Sequence, residues 1–144
     1  GYERNPVSGE LENITEQDPS WAWAAGAMIS TPSELNTLMQ KILDGTLLSA
    51  ESVAEMQETI HTETHSDYGL GLIRHSVSCG TVWGHGGTVP GYQSVSAVGP
   101  DGAAVTIAVT AIPSALAEDP SDPESFRTAF EPIKGAMDAL LCGS

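Results

Sequence analysis

Positive charge is scarce in this sequence: five lysines and arginines stand against nineteen aspartates and glutamates, a formal charge of −14 over 144 residues. That balance argues against nucleic acid or an anionic membrane as partner, because a polyanion would be repelled. It suits a chain kept dispersed by its own charge. No apolar run approaches the ~20 residues of a membrane-spanning helix. The opening Gly1-Tyr2-Glu3-Arg4-Asn5-Pro6 has neither a methionine nor the features of a signal peptide. It reads as a chain entered midway, so that any signal for secretion would lie outside it. Cysteine is nearly missing. Cys79 and Cys142 are either two unrelated buried thiols or a disulfide between the last helix and the sheet, and the second alternative implies an oxidising, extracellular setting. Repeats and low-complexity tracts are absent too. What is there, 40% hydrophobic residues in one domain's length of chain, is globular in character.

The pattern along the chain gives an ordered set of elements. Residues 1–20, with Pro6, Gly9 and Pro19, read as loop. Trp21 to Ile29, "WAWAAGAMI", is apolar, rich in small residues and expected to be buried. Thr31 as N-cap, Pro32 at the first helical position and Glu34 three after the cap open a helix. Leu35, Leu38, Met39, Ile42 and Leu43 form its apolar stripe, and Gly45 ends it. A shorter helix follows Ser49, with Val53, Met56 and Ile60 on one face, and polar loop occupies 61–67. From Tyr68 the period changes to that of strands. "YGLGLIRHSV" carries Leu70 and Leu72 on one face, "TVWGH" is a short strand, and "YQSVSAVG" and "AAVTIAVTAI" flank the turn Pro100-Asp101-Gly102. After a loop with Pro113, Pro120 and Pro123 comes a helix with Phe126, Phe130, Ile133, Met137 and Leu140 on one face. Pro132 either kinks that helix or marks its beginning. The fold class is therefore α+β: helices, an antiparallel sheet of three or four strands, and a C-terminal helix covering one sheet face. The division expected is 1–66, the end of a helical region with its loop, and 67–144, the sheet with its helix.

Two segments invite a chemical reading. His61 and His65 lie four apart around Glu63 in "HTETH", a spacing that suits two metal ligands on one helix face. Thr62 and Thr64 are poor helix formers and no third ligand is evident, so solvated loop is the simpler reading and no metal or cofactor is expected. In "WGHGGTVPGY", Trp83 to Tyr92, four glycines and a proline surround one histidine. Either this is a tight glycine turn with an incidental imidazole, or the bare backbone admits close approach of a ligand to His85, whose ordinary pKa lies in the working range.

The ordered series "SWAWAAGAMIST", "YGLGL", "CG-VWGHGGTVPGY", the Pro-Asp-Gly hairpin and a terminal "LLCG" resembles the penicillin-recognising serine hydrolases. These are the D-alanyl-D-alanine carboxypeptidases, class C β-lactamases and related esterases, and the nearest resemblance is to the secreted actinomycete carboxypeptidases. It runs from about residue 15 to 143. The resemblance implies a β-lactamase/transpeptidase-like fold, incomplete without its N-terminal part, and a secreted protein. His85-Gly86-Gly87 matches the third active-site motif on the inner edge strand of the sheet. There His85 would support proton transfer, Gly86 and Gly87 would leave room for substrate, and the Thr88 backbone N–H would be one donor of the oxyanion hole. The Thr88 hydroxyl would meet a substrate carboxylate, and Trp21 would wall the pocket. Cys79 and Cys142 match a bridged pair.

The first two family motifs are not found in this sequence. The residues three before its two lysines, Lys41 and Lys134, are Leu38 and Glu131, so there is no Ser-x-x-Lys. Tyr-x-Asn is absent as well, and Tyr92-Gln93-Ser94 imitates it only out of order. The nucleophile is therefore expected on an N-terminal companion segment carrying both motifs. The family's carboxylate-binding arginine falls at Ile73, with Arg74 one step along and so turned to the opposite face. The implied function is the C-terminal part of a serine D-alanyl-D-alanine carboxypeptidase or β-lactamase-like hydrolase, acting by an acyl-enzyme on a D-Ala-terminated peptide, an ester or a β-lactam, and inactive by itself. The alternatives are a non-catalytic module that binds D-Ala peptides or β-lactams, and a purely structural role.

Overall fold

The computed structural model describes residues 1–62, 67–112, 115 and 122–143, without the side chains of 123, 126, 127, 129 and 130. The expected apolar contributions of Phe126 and Phe130 lie outside the described residues. The chain divides into two compact units: Gly1–Ile29 with Gly87–Ser94 and Ala108–Gly135, and Ser30–Gly86 with Val95–Ile107 and Ala136–Ser144.

In the first unit, the segment expected as loop forms a short hairpin of β1 (Tyr2–Arg4) and β2 (Leu11–Asn13). The side chain of Asn5 builds its turn by accepting from the N–H groups of Val7 and Ser8 at 2.8 and 3.0 Å, an Asx turn. The apolar segment that follows is a 3-10 turn over Pro19–Ala25, and it is not buried as expected. Trp21 is 62%, Trp23 86% and Met28 and Ile29 each 88% exposed; Ala22 alone is buried. An apolar sequence is buried only where another apolar surface meets it, and the described residues of this unit offer little. Of the eleven buried hydrophobic residues among those described, only Ala22 and Ala115 belong to it.

The second unit holds the other nine. Helix α1 (Pro32–Leu43) starts as the sequence dictates: Thr31 Oγ1 accepts from Glu34 N–H and the Glu34 carboxylate accepts from Thr31 N–H. Such caps stabilise by ~1 kcal/mol. Past its C-cap Asp44, Gly45 adopts φ 81°. Met39, Ile42 and Leu43 face the core, whereas Leu38 is exposed. Helix α2 (Ala50–Met56) is capped by Ser49 and buries Val53; Ile60 lies beyond its end and is exposed.

The main sheet has five strands rather than three or four, in the order β3 (Asp67–Tyr68), β4 (Ile73–Val77), β5 (Gly80–Val89), β6 (Tyr92–Val98), β7 (Ala104–Val109). The expected single strand from Tyr68 is two, because a turn at Gly69 to Leu72 splits it, with Gly71 at φ 75°. A Cβ on Gly69 would lie 2.0 Å from the Met56 carbonyl oxygen, so only glycine lets this turn sit against α2. Leu72 is then buried and Leu70 exposed, not both on one face. The turn at Pro100-Asp101-Gly102 is as expected, with Gly102 at φ 83°.

Adjacent residues of β5, β6 and β7 feed opposite faces. Val82, Ala97 and Val105 pack with Met137 of the last helix, α3 (Pro123–Cys142). Their neighbours Trp83, Val98 and Ala104 pack with Met39 and Leu72. The sheet therefore has α3 on one face and α1 and α2 on the other. Pro132 lies within α3 and does not begin it. The Cys79–Cys142 disulfide forms, and Asp138 beside it accepts from the N–H and hydroxyl of Ser78. Among the described residues no helix is long and apolar enough to cross a membrane.

Candidate active site

Strand β5 carries the segment 83–89. It is third in the sheet order, yet its pairing with β4 runs only from Val77 opposite Gly80 to Ile73 opposite Gly84. From His85 onward the register with β4 has ended, so among the described residues His85 and Gly86 have no ladder partner on β4. Alternation along β5 sends Val82 and Gly84 inward and leaves His85 exposed.

Both nitrogens of the imidazole are engaged. Nδ1 lies 2.6 Å from the Gly86 carbonyl oxygen and Nε2 lies 2.9 Å from the hydroxyl of Tyr68. The two rings meet edge to face, with centroids 5.8 Å apart. Since a carbonyl only accepts, Nδ1 carries the hydrogen, and in the neutral ring Nε2 accepts from the phenol. Tyr68 was passed over in the sequence because its partner lies 17 residues on, beyond any helical or strand period.

Next to Tyr68, Asp67 is held by Arg74 across the β3–β4 register, through Nε at 3.0 Å and through the terminal guanidinium nitrogen. His61 Nδ1 stands 3.5 Å from the other carboxylate oxygen. Hydrogen bonding from Arg74, with its charge and His61 adding to it, holds the Asp67 carboxyl below the usual aspartate range. The Arg74 fork is thus occupied within the protein. Of the other residues of "HTETH", Glu63 and His65 lie outside the described residues; among the described ones no group of three or more metal-ligating side chains occurs. A cavity of about 150 Å³ between α1 and α2, lined by Leu43, Asp44, Val53 and Gln57 among others, includes none of the candidate residues.

His85 and Gly86 belong to the second unit and Gly87, Thr88 and Trp21 to the first. A Cβ on Gly87 would meet only the Ser94 hydroxyl, at 3.1 Å, whereas one on Gly84 would lie 1.9 Å from the Ser96 carbonyl oxygen. Gly84, just before the histidine, and Gly87, two residues after it, thus differ: Gly84 is required by the passing backbone of β6, and Gly87 is not.

The sequence profile of the Beta-lactamase family matches residues 4–127. The chain belongs to the Beta-lactamase family. Among solved structures, it is similar to a D-stereospecific amidohydrolase from Streptomyces sp., with 30% identity and a TM-score of 0.73 over 99% of this chain and 39% of that one. It is also similar to the D-amino acid amidase from Ochrobactrum anthropi SV3 complexed with L-phenylalanine amide, with 25% identity and a TM-score of 0.67 over 95% of this chain and 42% of that one. SurE with D-Leu, at 18% identity and a TM-score of 0.55, covers 94% of this chain and 34% of its own and shares the fold. This Beta-lactamase family chain spans about two fifths of the length of the first two. Its fold is the β-lactamase/transpeptidase-like one.

Proposed function

We propose that the chain is the C-terminal part of a secreted serine hydrolase that opens an amide bond at a D-configured residue through an acyl-enzyme. The observation that carries this reading is the ordered imidazole of His85 on the part of β5 beyond its register with β4. The nucleophile comes from a Ser-x-x-Lys motif on a companion segment, since these residues contain none. The serine Oγ bonds to the carbonyl carbon while its proton passes to the site's bases. The Thr88 N–H receives the developing oxyanion, a contribution of ~3 kcal/mol for such a donor. The C–N bond then breaks, the amine leaves with a proton, and water releases the acid. His85 supports the proton transfers, and Gly86 and Gly87 admit the substrate backbone.

Two observations support an amide substrate over a peptide with a free terminal carboxylate. The similar solved structures are an amidohydrolase and an amidase of D-configured substrates, and Arg74 is committed to Asp67. The disulfide supports an oxidising compartment.

Intact mass spectrometry of the whole protein after incubation with a penicillin tests the reading, alongside turnover of a D-amino-acid amide. One acyl adduct on the companion segment is expected and none on this chain, with turnover in His85→Ala reduced ~10²-fold or more. An adduct on this chain would overturn the assignment of the nucleophile. Ligand binding with neither adduct nor turnover would replace the enzyme by a module that binds D-Ala peptides or β-lactams.

A further inference from the structure

The backbone at Tyr68 is clamped before its side chain is considered. Its N–H and C=O each exchange a hydrogen bond with Ile60 at 2.9 Å, and on its other side it pairs with Ile73 of β4. The next residue, Gly69, is packed against the Met56 carbonyl at the end of α2. The phenol is thus delivered to His85 from a fixed base, across the one strand that separates β3 from β5 in the sheet order. An exposed imidazole with no partner turns freely and samples both tautomers. This one has a carbonyl on Nδ1 and a hydroxyl on Nε2, and the two contacts are compatible with only one neutral form.

We propose that Tyr68 is the positioning residue for His85, its hydroxyl holding the ring in the orientation that keeps Nδ1–H on the Gly86 carbonyl and so preserves that tautomer. Second partners of this kind commonly set which nitrogen of a working histidine is basic. For its consequence in turnover the inference rests on the acyl-transfer reading above; for its consequence in the ring it does not.

The test combines spectroscopy with kinetics on the intact protein labelled with ¹⁵N-histidine, His85 being assigned by loss of its signal in His85→Gln. With the ring in its neutral form, the wild type is expected to show His85 as the Nδ1–H tautomer, with Nε2 at the shift of a hydrogen-bonded acceptor. Tyr68→Phe, which keeps ring and backbone, should give the averaged shifts of exchanging tautomers. Turnover of a D-amino-acid amide should fall about 10-fold in kcat in Tyr68→Phe, with little change in KM. In a His85→Ala background the same change should cost nothing more, because a residue acting through another has no effect once that other is gone. His85 shifts unaltered by Tyr68→Phe would overturn the proposal. So would an undiminished kcat loss in the His85→Ala background, which would mean that Tyr68 acts directly. If the tautomer moves but His85→Ala turns over normally, the positioning by Tyr68 stands and the catalytic assignment of His85 falls.

Discussion

At Gly84 the β5 backbone passes so close to β6 that a methyl group would overlap the Ser96 carbonyl oxygen and come within 2.9 Å of the Ala97 Cα. Both neighbours are main chain, so neither can swing aside, and overpacking of this kind costs ~1–3 kcal/mol or more. Gly84→Ala is expected to lower the unfolding free energy measured in urea by that amount. Gly87→Ala, which meets only a rotatable hydroxyl, should unfold within ~1 kcal/mol of wild type yet lose turnover, because on the proposed reading its methyl group enters the space left for substrate. Equal loss of stability in both variants would remove the distinction. The sequence showed that glycines gather around His85. It could not show which serves packing and which serves a ligand, since that depends on a strand a dozen residues away. Strand pairing likewise hid Tyr68, 17 residues before His85, and the Asp67 that occupies Arg74. Local signals reveal a residue's type, whereas its partner is a property of the sheet.

Among elements, those governed by their own ends were legible and those governed by neighbours were not. Helix α1 was readable because its capping box, first-turn proline and terminal glycine are all local. The Pro-Asp-Gly turn was readable for the same reason. The break between β3 and β4 was not, because Gly69 is required by a carbonyl of α2 rather than by its own turn. Helix α3 is a case where a covalent tie does part of the work. Its end is joined to the β4–β5 turn by Cys79–Cys142, with Asp138 bonded to Ser78 alongside. The bridged cysteines are 63 residues apart, and closing a loop of that size restricts the unfolded chain by ~4 kcal/mol on chain-entropy grounds. That is a large share of a total stability of ~5–15 kcal/mol. Cys79→Ser with Cys142→Ser is therefore expected to lower the unfolding free energy by ~4 kcal/mol, and reduction of the wild type should reproduce the loss in a thermal melt. A shift under ~1 kcal/mol would mean that Met137 and Leu141, packed on the sheet, hold α3 without help.

For the whole molecule the uneven distribution of core matters most. The second unit packs a sheet between helices, while the first has only Ala22 and Ala115 as buried hydrophobic side chains among its described residues. It exposes Trp21, Trp23, Met28 and Ile29 in one segment. Within that segment Trp23 has φ 36°, the one positive value among the described non-glycine residues, a conformation that costs ~1–3 kcal/mol. A stretch that is apolar, uncovered and strained is what remains when the surface that would set its conformation is elsewhere. The chain's two-fifths share of its solved relatives makes the proposed companion segment the natural source of that surface. Opposing association is the charge of −14, whose repulsion reaches ~10 Å at 0.1 M salt but only ~3 Å at 1 M. The chain by itself is therefore expected to bind an apolar dye and, in sedimentation velocity, to pass from monomer toward larger species as salt rises. Trp23→Ser with Ile29→Ser should suppress both effects without lowering the unfolding midpoint, since neither side chain is buried. Addition of the companion segment should suppress them in the wild type. A chain that stays monomeric at 1 M salt and binds no dye would show that the apolar segment needs no cover, and with it the case for a two-part enzyme would lose its physical support.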